Sequence, residues 1–202
     1  MLAESADIKT DAFRDLYAPF GEDVVARCVE HHTHHAGLSR VLKIKKYHQE
    51  FLGEDLSPED LDGWVARYSA IVEDKVVLSP AVPGAVEFLQ TYGRDLRCFV
   101  ISGTPDEELQ RIVDARGWRS CFEEVHGSPR LKPDIIEDIL MRTGLRRDRV
   151  LFVGDAMTDY NAAKDTALRF VGRVASHHEN MFPANTHILV DLTNLGEVVV
   201  GA

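Results

Sequence analysis

Residues 149–159 read RVLFVGDAMTD, and the fold class turns on them. Val150, Leu151, Phe152 and Val153 form a short apolar run rich in β-branched and aromatic side chains, the pattern of a strand buried on both faces of a parallel sheet. Gly154 and Asp155 follow at its carboxyl end. Open α/β sheets place their ligands there, because the strand-to-helix turns point amides and side chains into one crevice. Asp155 and Asp159 put two hard oxygen donors on that turn, a set that suits a divalent cation such as Mg²⁺. Asp155 can equally serve as the cap of the next helix.

The segments around this stretch alternate in the same sense. A helix is expected through Val86 and Leu89, a strand over residues 97–101, a helix after Pro105 and a strand over residues 124–126. A helix after Pro133, the strand at Val150, a helix over residues 160–166 and a strand over residues 168–171 follow, with a last short strand over residues 188–190. Such alternation implies a doubly wound parallel sheet.

The first third reads differently. Ser5 is placed to cap a helix with Ile8, Ala12, Phe13 and Leu16 on one face; Val24, Val25, Cys28 and Val29 mark a second helix, and Val41, Leu42, Ile44 and Tyr47 a third. Ser57, Pro58 and Asp60 form a start signal for a fourth, carrying Leu61, Trp64, Val65, Tyr68 and Val72. Residues 76–84, VVLSPAVPG, break the helical period, and the boundary is placed there: a helical domain over residues 1–78 and an α/β domain over residues 79–202.

The bulk properties narrow the function classes. The chain has 202 residues, 45% hydrophobic and 28% charged, enough for one core with a smaller insert. No run reaches the apolar length of a membrane span, and MLAESADIKTDAF lacks the basic and apolar regions of a secretory signal. A net charge of -10 argues against nucleic acid as a partner. Cys28, Cys98 and Cys121, odd in number and widely spaced, fit free thiols in a reducing, cytoplasmic setting.

Two further stretches point into the crevice of Asp155. Residues 98–102, CFVIS, form a strand ending in a hydroxyl, and Ser102 with the amides of Gly103 and Thr104 can cradle an anion; Thr104, Pro105 and Glu107 also make a plausible helix start. In residues 130–134, RLKPD, Pro133 biases Lys132 towards an extended conformation and so stiffens the approach of its ammonium to an anion. Each stretch has an ordinary reading as well, a cap and a solvated charge.

Taken together, the three stretches resemble the haloacid dehalogenase superfamily of phosphohydrolases, whose later motifs are a strand ending in Thr or Ser, a lysine ahead of a helix, and strand-Gly-Asp with a second Asp. The helical segment before the second motif resembles the cap domain of the β-phosphoglucomutase and phosphoglycolate phosphatase branch. The resemblance implies a Rossmann-like core with a helical cap. Asp155 and Asp159 are then metal carboxylates for Mg²⁺, Ser102 a catalytic phosphate-binding hydroxyl with Gly103 and Thr104, and Lys132 the cation balancing the phosphoryl charge. Gly37, Leu38, Ser39 and Arg40 resemble the branch's cap loop, whose arginine holds a substrate phosphate, and Lys9 sits where relatives direct a side chain at the active site.

One departure stands against these agreements. The family's first motif, Asp-x-Asp-Gly on a central strand, is not in the sequence; Leu2 to Ser5 correspond to the remnant just after it, and Asp7, Asp11 and Asp106 do not replace it. The expectation is a phosphatase acting on a small phosphorylated metabolite such as a sugar phosphate or phosphoglycolate, with this chain inactive for want of the nucleophile. A sugar-phosphate mutase and a non-catalytic binding protein are the alternatives. The gap in the sheet would be closed by direct pairing of its neighbours, by another chain in a homo-oligomer, or by water and disorder. His31, His32, His34 and His35 form a cluster in which His31 and His35 share a helical face, either as part of a zinc site or as a polar surface. Arg142, Arg146, Arg147 and Arg149 read as a solvated helix end and loop.

Overall fold

The computed structural model describes residues 1–200. Four helices come first: α1 Ala6–Tyr17, α2 Glu22–His34, α3 Arg40–Tyr47 and α4 Pro58–Leu78. Their apolar stripes meet in one core of Phe13, Tyr17, Cys28, Ile44, Tyr47, Tyr68 and Val72, each at most 2% exposed. Burying side chains of this size contributes roughly 2 kcal/mol apiece before entropy is counted. The start of α4 is as the sequence predicts: Ser57 Oγ accepts from the Asp60 amide at 3.1 Å, with Pro58 at the first helical position. Ser5 occupies the N-cap position of α1 but makes no side-chain capping bond. Helix α4 also runs through residues 76–78, so the chain breaks at Ser79 and Pro80 and not at Val76.

The remaining elements alternate as expected: α5 Ala85–Tyr92, β1 Phe99–Pro105, α6 Asp106–Ala115, β2 Glu124–Ser128, α7 Lys132–Thr143, β3 Leu151–Gly154, α8 Met157–Asp165, β4 Arg169–Arg173, β5 His187–Leu189 and α9 Leu195–Val200. Every strand pairing is parallel. The sheet is split, with β1 paired only to β2 and β3 to β4, which pairs β5. Direct pairing of the strands flanking the gap is therefore not adopted among the described residues. Met1 and Leu2 instead pack, as Leu151 and Val153 do, against the cluster of Val82, Ala85, Leu192 and Leu195, and a cavity lined by Val100, Ile101 and Val153 lies in the gap.

Two local expectations are corrected. Strand β1 does not stop at Ser102: it carries Ser102, Gly103 and Thr104 onward with a register shift, bringing Pro105 opposite Ser128. Parallel pairing with β2 thus outweighs the helix-start signal at Thr104, and α6 begins at Asp106 behind Pro105. Lys132 is the first residue of α7 and not an extended linker residue, because Leu131 takes the extended cap position (φ -77, ψ 145) and Pro133 falls in the first turn, where no amide hydrogen is needed.

Two crossings join the helices to the α/β part, and they are tied to each other. Glu4 N donates to Pro80 O and Val82 N to Leu2 O, both at 2.9 Å, around an antiparallel bridge between Ala3 and Ala81. Arg116, at the end of α6, donates from Nη1 to Val76 O and Val77 O at 2.8 Å and to Ser79 O at 2.9 Å, closing the carboxyl end of α4.

Candidate functional site

The carboxyl-terminal part of β1, the turn after β3 and the start of α7 open onto the cavity in the sheet gap, whose volume is about 550 Å³. Ser102, Gly103, Thr104, Lys132, Asp155 and Asp159 all line it from the α/β part, and Lys9, Arg40 and Lys43 from the helices. Glycine at 154 is required by packing: a Cβ there would lie 2.7 Å from Asp159 Oδ2. Gly103 is similarly constrained, since a Cβ would lie 2.7 Å from the carbonyl oxygen of Gly37, and this close approach seats the 37–40 loop on the end of β1.

Asp155 does not cap α8; Ala156 holds that position, and its amide donates to Asp159 Oδ2 at 3.1 Å. The Asp155 carboxylate faces the amino terminus, with Met1 N 2.6 Å from Oδ2. Burial alone would raise its pKa, but the Met1 ammonium, with Lys9 and Lys132 beyond it, outweighs burial and pulls it down to about 2. A carboxylate that lines the cavity and supplies hard oxygen donors is the type that a divalent ion takes, so Asp155 fits Mg²⁺. Asp159 is otherwise committed. Its Oδ1 accepts from Lys132 Nζ at 2.5 Å while Oδ2 caps the helix, and Lys132 Nζ also reaches Thr158 Oγ1 at 3.2 Å. This pair fixes the lysine at the cavity wall. Ser102 Oγ accepts from the Thr104 amide at 3.1 Å and donates to Thr104 Oγ1 at 3.2 Å, so one amide of the expected cradle is satisfied within the loop.

Arg40 reaches the cavity wall but is neutralised there. Its guanidinium makes a two-pronged pair with Glu108 of α6, at 2.6 and 2.7 Å, donates to Ser69 Oγ at 2.8 Å and stacks over Tyr68. Lys9 and Lys43 are the lysines on this side with no carboxylate partner among the described residues. Burial lowers the pKa of Lys9 against the pull of Asp155, and no side-chain partner of its ammonium is found among the described residues. Lys43, 1% exposed, donates to His32 Nδ1 at 2.9 Å, and burial, with Lys9 nearby, lowers its pKa to about 7.

Sequence reading missed Glu108, Lys43 and the role of His32. The only hint lay in α3, where Lys43 follows Arg40 by three residues and shares its helical face. The other histidines do not assemble a metal centre: His31 and His35 stack at 4.2 Å, and His31 Nδ1 is spent on the Tyr47 hydroxyl at 3.0 Å. Among the described residues the one grouping of metal-ligating side chains is Asp7, His177 and His178. All three cysteines are free, and burial pushes the Cys28 thiol up to about 12.

A family model described as haloacid dehalogenase-like hydrolase matches residues 2–165. The chain belongs to that family. No curated protein sequence matches it significantly. Among solved structures, a predicted phosphoglycolate phosphatase from Haemophilus somnus is 16% identical at a TM-score of 0.74, covering 98% of this chain and 92% of the other. CbbY from Rhodobacter sphaeroides, solved in complex with xylulose-1,5-bisphosphate, is 20% identical at 0.70, over 96% and 92% of the two chains. The hydrolase YfnB from Bacillus subtilis, bound to magnesium, is 11% identical at 0.72, over 99% and 94%. At these identities the likeness is one of fold: a haloacid dehalogenase-type α/β core with a helical cap. No helix among the described residues is long and apolar enough to cross a membrane.

The buried lysine makes a testable contribution to stability. Lys43 titrates near 7 in the folded chain and near 10.4 when unfolded, so between these values the unfolded state binds more protons and stability rises with pH. That contribution is complete above about pH 10 and lost as pH falls through 7. Lys43→Met is expected to stabilise the protein at pH 7 by on the order of 3 kcal/mol and to flatten the rise between pH 7 and 9.5. Urea unfolding at the two pH values checks it; a variant with the same pH slope as the parent excludes a perturbed Lys43.

Proposed function

We propose that the cavity is the phosphate site of a Mg²⁺-dependent phosphohydrolase of the haloacid dehalogenase type, acting on a small phosphorylated metabolite. The observation that carries this reading is the convergence of Ser102, Lys132 and Asp155 on one cavity, from segments up to 53 residues apart in sequence. Asp155 would hold the metal, which when bound supplies positive charge to a phosphate oxygen. Lys132, held by Asp159, places its ammonium against the phosphoryl group, and the hydroxyl of Ser102, turned from Thr104 Oγ1, donates to one of its oxygens. Asp159 acts chiefly through Lys132. Residues 1–78 act as the cap, and Lys9 and Lys43 give its inner face a positive charge suited to the remainder of an anionic substrate, a role that Arg40 fills only if Glu108 releases it.

Among the described residues no Asp-x-Asp pair lines the cavity beside Asp155, so the reading for these residues rests on phosphate binding and assigns them no aspartyl nucleophile. Calorimetric titration with inorganic phosphate is expected to give saturable binding that requires Mg²⁺ and disappears in Asp155→Ala, while hydrolysis of a generic phosphate ester stays at background. Phosphate binding unaffected by Asp155→Ala sinks the site. Brisk, Mg²⁺-dependent ester hydrolysis would instead mean that another group in the cavity supplies the nucleophile.

A further inference from the structure

We infer that Asp7, His177 and His178 form a second metal site, for a borderline transition-metal ion of the Zn²⁺ class, at the mouth of the cavity. Asp7 lies in the first turn of α1, and the two histidines lie in a turn after β4 closed by the bond from His178 N to Ala175 O at 2.9 Å. That turn does what an extended strand cannot: it brings consecutive imidazoles to the same side, with ring centroids 4.3 Å apart. His178 Nε2 lies 3.1 Å from Asp7 Oδ1 and His177 Nε2 3.4 Å from Oδ2, and one ligand atom from each residue falls within 4.8 Å of the others.

These separations match a coordination polyhedron. Zinc bonds of about 2.0–2.1 Å in tetrahedral geometry place neighbouring ligand atoms roughly 3.3 Å apart. Each imidazole already lies near that spacing from one carboxylate oxygen, and with all three ligand atoms within 4.8 Å of one another the side chains need only rotate inwards to close on an ion. Two imidazoles and one carboxylate prefer Zn²⁺ or Co²⁺ to Mg²⁺, which separates this site chemically from Asp155. Asp7 has no ion-pair partner besides these histidines among the described residues, and all three side chains are exposed, so an ion can enter and water can complete its shell. Asp7 and His178 also line the cavity. A bound ion would therefore join the start of the helical cap to the turn after β4, across the route by which a ligand enters.

The experiment uses the full chain, titrated with Zn²⁺ by calorimetry and with Co²⁺ by visible absorption. The expected result is one ion per chain, a tetrahedral Co²⁺ spectrum, and a loss of affinity of about tenfold or more in both Asp7→Asn and His178→Ala. His35→Ala, which dismantles the other histidine pair, should leave binding unchanged. Zn²⁺ should also raise the melting temperature of the parent and not of Asp7→Asn, since ligation spans two elements. Absence of binding, or binding equal in the parent and Asp7→Asn, overturns the site and leaves the contacts as simple histidine–carboxylate pairs.

Discussion

Glu108→Ala is expected to be among the most damaging single changes in the protein, costing about 3–5 kcal/mol. Glu108 and Arg40 are only 4% and 6% exposed at their side chains, so removing the carboxylate leaves a largely buried guanidinium without its counter-charge, which Ser69 alone cannot satisfy. For a chain of this size, such a loss lowers the melting temperature by roughly 10 °C. The effect belongs to the uncompensated charge and not to the attraction itself. The double variant Arg40→Met with Glu108→Leu should accordingly recover most of the stability, because two apolar side chains fill the same space without a desolvation cost. Thermal unfolding of the three variants checks the cycle; a double variant as unstable as Glu108→Ala would show that the pair stabilises α3 against α6 in its own right.

Lys132→Met should lose two things together. The lysine and Asp159 are 12% and 9% exposed and in contact at 2.5 Å, so the substitution strands a carboxylate that also holds the start of α8, at a cost of about 3 kcal/mol. It also removes the ammonium that faces the cavity. Phosphate affinity is expected to fall at least tenfold, about 1.4 kcal/mol. Lys132→Arg separates the two losses: it restores charge, so stability should return in part, while the longer, forked head is displaced from the phosphate position and affinity should remain low. Unchanged phosphate binding in Lys132→Met would remove this residue from the site.

What could be read in the amino-acid order was what is encoded over a few residues. Ser57 and Pro58 announce α4 because a cap is a contact across three positions. The run ahead of Gly154 announces β3 because its β-branched and aromatic side chains suit an extended chain, although Leu151, Phe152 and Val153 end up only partly buried beside the gap and not enclosed on both faces as expected, and the Gly-Asp that follows places the crevice. Belonging to the same family followed from three such local signatures in the right order. The extension of β1 through Thr104 was hidden, because it depends on where β2 lies and not on local propensity. Glu108 escaped for the same reason at longer range: it meets Arg40 across 68 positions, and on α6 alone it reads as a surface acid. Asp7 meets His178 across 171 positions.

The stitched crossings bear on how firmly the helices are held against the α/β part. With Leu2 to Glu4 bonded to Pro80 to Val82, the two connections run as one ribbon, so a swing of helices α1 to α4 against the rest would have to bend both together. Arg116 grips the end of α4 beside it, so any such swing must either carry the guanidinium along or surrender three carbonyl bonds at once. Parting the helices from the α/β part would also break the two-pronged Arg40–Glu108 pair and lift the Gly37 loop from Gly103, so the contacts that wall the cavity are the same ones that resist its widening.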